Sequence, residues 1–100
     1  MLDVSENLPL QQILQKKEFK SHILIDFANT SKDILVLFDY MQDLDLFFLQ
    51  LQQFTEVRLY EKESVIIFDE VQLYPKARQA IKYLVADGRY KFIETAIFCL

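Results

Sequence analysis

Asp69 and Glu70 follow directly on Val65-Ile66-Ile67-Phe68, and these two carboxylates are the chain's strongest candidates for chemistry. Four apolar residues in a row read as a strand buried on both faces. Carboxylates at the C-terminal end of a buried parallel strand stand where open α/β sheets bind ligands. An Asp in that place can help hold Mg²⁺ during phosphoryl transfer. The Glu after it is placed to orient an attacking water. The plainer alternative is a buried strand running into an acidic surface turn.

Other reactive side chains are isolated. His22 stands alone at a strand start, without a second His or a nearby Cys, and a structural or surface role suits it better than metal or acid–base work. Cys99 has no paired His that would make it a nucleophile. Lys76, Arg78, Lys82, Arg89 and Lys91 could form a basic strip, although a solvated helix face explains them more simply. Phe38, Phe47, Phe48 and Phe54 read as core.

Glycine usage sets the sharpest limit. Gly88 is the only glycine among the 100 residues. A loop of the G-x-x-x-x-G-K-[ST] type needs two, because its backbone turns tightly and its N–H groups must approach phosphates closely. Lys20-Ser21 is the only Lys-Ser pair before the candidate magnesium strand, and no glycine precedes it. These residues contain no phosphate-cradling loop.

Composition narrows the class further. A chain of 100 residues, 52% apolar, allows one small domain with a full core. The net charge of −4 speaks against a general nucleic-acid binder. The single cysteine excludes a disulfide framework and a Cys-based zinc site. No apolar run approaches the length of a membrane span. The first residues lack the pattern of a signal peptide. The expectation is a cytoplasmic protein.

The elements that must position the carboxylates can be read from periodicity. Residues 8–18 suggest a short helix with Asn7 as cap and Pro9 in its first turn. Residues 22–27 follow as a strand, with Ile23, Ile25 and Phe27 on one face and His22, Leu24 and Asp26 on the other. Ile34, Leu37, Phe38 and Met41 have helical spacing, and Leu44, Phe47, Phe48 and Leu51 repeat it. A break is expected near Gln42-Asp43, with Asp43 capping the second helix. Leu35, Val36, Leu46 and Leu49 lie off both stripes, so these helices are buried on several sides or expose apolar surface. Residues 64–69 form the central strand. Pro75 starts a helix with Ala77, Ala80, Ile81, Leu84 and Val85 inward, and Gly88 ends it with a left-handed cap. Residues 90–98 form the third strand. Alternating strands and helices predict an α/β fold, a mostly parallel three-stranded sheet with right-handed crossovers.

Three stretches resemble a known family: Lys20-Ser21-His22-Ile23-Leu24-Ile25-Asp26-Phe27, Ser64 through Ala77, and Ile93-Glu94-Thr95. Residues 20–98 look like part of the AAA+-type P-loop ATPases of bacteria and archaea, which often carry a nuclease-like C-terminal domain. Asp-Glu-Val-Gln followed closely by Pro is the specific match, to that family's Walker B region. The resemblance implies a three-layer, P-loop-NTPase-like fragment. It implies Asp69 as the Mg²⁺ residue, Glu70 as the catalytic base and Thr95 as a sensor-like residue; Gln72 belongs to the motif without an assigned role. Where that family's P-loop should be, Asp3-Val4-Ser5-Glu6-Asn7-Leu8 has neither Gly nor Lys.

The expectation is therefore one partial AAA+-like core over residues 1–100, truncated or decayed and unable to bind ATP alone. Its Asp69, Glu70 and Thr95 would be vestigial, and no cofactor is expected; Mg²⁺ and ATP would enter only if a second chain supplied a P-loop. The alternative is a Walker B half working with such a chain. In the family's sheet the strand matching 90–98 pairs with the P-loop strand. Association is therefore expected, as a homo-oligomer or with a full-length ATPase relative, and neither membrane nor nucleic acid is an expected partner.

Overall fold

The computed structural model describes residues 19–94. The helix expected over 8–18, together with Thr95 and Cys99, lies outside the described residues. Within them the order is β1 (Ser21–Asp26), α1 (Lys32–Val36), a 3-10 segment (Leu37–Tyr40), α2 (Leu44–Thr55), β2 (Ser64–Asp69), a 3-10 turn (Val71–Leu73), α3 (Pro75–Asp87) and β3 (Lys91–Glu94). The strands form one parallel sheet in the order β1-β2-β3. Ser64–Asp69 is central, as its unbroken apolar run requires, and the fold is the expected α/β sheet with flanking helices. The first strand runs over Ser21–Asp26 in place of 22–27, and the third is seen as Lys91–Glu94 at the start of the expected 90–98.

Register explains how the core divides. Ile23, Ile66 and Phe92 form one cross-strand row, and Ile25 stands beside Phe68. Those residues join Ile34, Leu37 and Phe38, then Phe47, Phe48 and Leu51 of α2 and Ala77, Ala80 and Leu84 of α3, in one large cluster. Both crossovers thus pack on the same face, as two right-handed connections advancing in one direction must. The opposite face carries the row Leu24, Ile67 and Ile93 and a smaller cluster of Val65, Ile67 and Ile93 with Phe19 packed against it. Phe68 is central to the large cluster, its ring edge-on to Phe27 at 5.4 Å, Phe38 at 5.7 Å and Phe92 at 6.0 Å. Such arrangements satisfy the ring quadrupoles as well as burying area.

Helix boundaries follow local chemistry. The Asp43 carboxylate accepts the Leu46 N–H at 3.1 Å and caps α2, which produces the break expected near Gln42-Asp43. Pro75 opens α3, and Gly88 closes it at φ +81°. Among the off-stripe residues, Leu35 and Leu46 are half-buried, whereas Val36 and Leu49 are exposed.

Two core expectations fail. Phe54 is 51% exposed, although it continues the stripe of Phe47. Leu51 is the last residue of α2 in the cluster, so the final turn runs past the core before Glu56 ends it in the left-handed region. Val85 is likewise exposed, one turn from the end of α3.

The N-terminal end of the sheet is tied by hydroxyls. Ser64, fully buried, shares a 2.7 Å hydrogen bond with Ser21, and its Oγ accepts the Tyr60 N–H at 2.8 Å. Ser21 donates onward to the Arg58 carbonyl. A buried hydroxyl without such partners would cost roughly 1–3 kcal/mol. This end of the sheet is thereby satisfied and closed, while the carboxylates gather at the other.

Candidate functional site

The C-terminal end of β2 is a short polar segment folded tightly against the sheet. Asp69 and Glu70 are both half-buried there. The Asp69 carbonyl accepts the Phe27 N–H at 2.9 Å, which extends the β1–β2 ladder by one bond. Asp69 follows Val65 and Ile67 on the sheet face away from the helices, because strand side chains alternate.

Glu70 departs from the strand abruptly. Its backbone lies in the left-handed region, at φ 58° and ψ 40°, where a side-chained residue is strained by roughly 1–2 kcal/mol. The turn that follows offsets this. The Glu70 carbonyl accepts the Leu73 N–H at 3.0 Å, and the Val71 carbonyl accepts the Tyr74 N–H at 3.0 Å. Val71 is buried and anchors the turn in the core. Pro75 then starts α3, whose Ala77 and Ala80 let the helix approach the sheet closely.

Gln72 completes the segment. Its Nε2 donates to Glu70 Oε1 at 2.7 Å, while its own Oε1 is buried without a hydrogen-bond partner among the described residues. The sequence marks Gln72 only as part of a motif. The missed signal is its spacing of two residues from Glu70, within reach across a single 3-10 turn.

A third carboxylate was also missed. Asp26 ends β1 in register with Asp69. Its Oδ1 accepts the Ala28 N–H at 3.0 Å, and its Oδ2 accepts the Asn29 side-chain amide at 3.1 Å. Asp26 therefore closes its own turn. The signal available in the sequence was its place at the end of a neighbouring parallel strand.

The remaining candidates are scattered. His22 is exposed at the other end of the sheet, in the row with Val65 and Lys91. Lys76 donates to and pairs with Asp39, and Arg89 pairs with Asp45 and Asp87 at 2.5 and 3.2 Å. Lys82 lies over the Tyr83 ring. These pairings break up the basic strip and support the solvated-face reading.

Towards a metal site the described residues offer the carboxylates at the end of β2. Among the described residues, no group of three or more His, Cys, Asp or Glu could hold a metal ion. Mg²⁺ ordinarily binds through one or two carboxylates plus substrate phosphates, so Asp69 suits one such ligand position. The 100 residues contain no G-x-x-x-x-G-K-[ST] run. No helix among the described residues is long and apolar enough to cross a membrane.

A family model described as an AAA domain matches residues 9–96. No curated protein and no solved structure gives a significant match. The matched region takes in the three strands of the described residues, the crossovers between them and the strand-end carboxylates, and the chain belongs to the AAA domain family.

Proposed function

We propose that these residues carry the magnesium and water-handling side of an AAA-type ATP site and bind no ATP on their own. One observation carries the reading: Asp69 and Glu70 end the central strand, in a chain whose single glycine caps a helix. In this reading Asp69 is a vestigial Mg²⁺ residue and Glu70 a vestigial water-activating one. Thr95 keeps the sensor-like role that the family resemblance implies. When bound, Mg²⁺ would neutralise charge on the phosphate oxygens, and Asp69 would supply one carboxylate to it. Recruiting the triphosphate is another matter. Without a ring of backbone N–H donors and a lysine to offset its charge, two carboxylates repel it.

The chain then acts as a non-catalytic remnant or fragment of an AAA+-type ATPase, through association with a second copy or a full-length relative. Supporting this, β3 pairs with β2 alone among the described residues, and an edge strand can take up a strand of another chain. Leu24 and Leu49 are exposed apolar residues that association would cover. Light scattering of the chain at about 100 μM, far above the ~1 μM scale of a specific association, should give a mass above the 11.9 kDa monomer.

The two carboxylates placed together at the end of β2 favour a second reading, a Walker B half completed by a P-loop supplied in trans. Titration with a fluorescent ATP analogue separates the two. The chain alone should give no saturable signal under either reading. A signal that appears only with a P-loop-bearing partner, and is lost in Asp69→Ala, would establish the second.

A further inference from the structure

We propose that Gln72 is a positioning residue for Glu70, a latch that keeps its carboxylate turned back over the Val71–Leu73 turn. This rests on the reading of Glu70 as the water-orienting group, but its test uses no nucleotide. Three observations lead to it. Gln72 Nε2 donates to Glu70 Oε1 at 2.7 Å, a charge-assisted bond between residues two apart. The other end of the same amide, Oε1, is buried and unpaired among the described residues. Finally, Glu70 sits at φ 58°, so its side chain leaves the strand in a direction that an extended residue would not take.

The amide's orientation follows from electrostatics. Turning it over would present Oε1 to a carboxylate, oxygen against oxygen, so the donor faces Glu70 even though the acceptor is then left without a partner. Because only one end of the amide is satisfied, the latch is fastened at a single point. A group at the strand end that engages Glu70 competes for that point alone. Gln72 thereby sets how freely Glu70 can reach a ligand, without touching the ligand itself.

The test is side-chain NMR on the isotopically labelled 100-residue chain. One Gln72 Nε2 proton should be shifted downfield and protected from exchange, unlike those of the exposed Gln42, Gln53 and Gln79. Glu70→Ala should return it to the values of those three residues, and Asp69→Ala should leave it in place. Gln72→Met keeps the volume and removes the donor. It should change the Glu70 side-chain couplings from one dominant rotamer to an average, with β2 backbone shifts unchanged. A Gln72 amide indistinguishable from Gln53 and Gln79 in the unsubstituted chain would overturn the latch, as would Glu70 couplings unmoved in a folded Gln72→Met. If Gln72→Met does not fold, the amide comparison with Glu70→Ala decides. Tight ATP binding by the chain alone would defeat the proposed function and leave the latch standing.

Discussion

Asp26 and Asp69 are register partners at the ends of adjacent parallel strands, and the backbone N–H of Phe27 reaches across to the Asp69 carbonyl at 2.9 Å. Two carboxylates are therefore brought to one end of the sheet by strand pairing alone. They are handled differently. Both oxygens of Asp26 are engaged by its own turn, whereas Asp69 leads directly into the strained Glu70 and the turn that carries Gln72.

Those two turn hydrogen bonds assign Asp26 to structure. Asp26→Ala loses both turn hydrogen bonds and should cost about 1 kcal/mol. Asp26→Asn keeps an acceptor for the Ala28 N–H and should cost less. Urea unfolding of the two variants measures this. Equal losses would mean that the carboxylate charge, and not the turn, is what the strand end needs.

The aromatic core offers a contrast between two phenylalanines. Phe68 is 1% exposed and Phe54 is 51% exposed. Phe68→Ala should cost about 3–5 kcal/mol, a large share of the stability of a domain this small. Phe54→Ala should stay within about 0.5 kcal/mol. A Phe68→Ala variant that melts at the wild-type temperature would show that β2 does not anchor the fold.

Most of the frame was legible because its signals are local. The run Val65–Phe68 reads as a central strand on its own, Asp43 reads as a cap from its place before Leu44, and Gly88 is the one residue free to take φ +81° without strain. Phe54 misled because periodicity gives a direction around the helix axis and says nothing of where along that axis the core stops. The candidate site could be read as Asp69 and Glu70 but not as a segment. The left-handed turn at Glu70 comes from the chain being forced into α3 within five residues, and the Gln72 bond exists only once that turn has formed.

Alkaline pH should weaken the fold through Tyr90. Burial raises its phenol above the ordinary value, with Glu61 and Asp87 adding to the effect and Arg89 opposing it. Its ring also stacks edge-on to Phe48 at 4.8 Å. With the folded value above the unfolded one, the protonated phenol's contribution is complete below the unfolded value near pH ~10. It is lost as pH rises through the folded value, because the unfolded chain then holds fewer protons. Tyr90→Phe should therefore lose less stability than the unsubstituted chain above that point and show no difference in slope at neutral pH. Melting temperatures across the alkaline range check it; parallel curves would contradict it.

Isothermal calorimetry with ATP is the most direct test of the central claim, that the carboxylate side of the site is present while the phosphate side is not supplied by these 100 residues. The chain titrated with ATP, with and without Mg²⁺, should give no saturable heat at sub-millimolar nucleotide, meaning a Kd weaker than about 1 mM. Asp69→Ala and Glu70→Gln should leave that result unchanged. Micromolar binding that requires Mg²⁺ and disappears in Asp69→Ala would contradict the account.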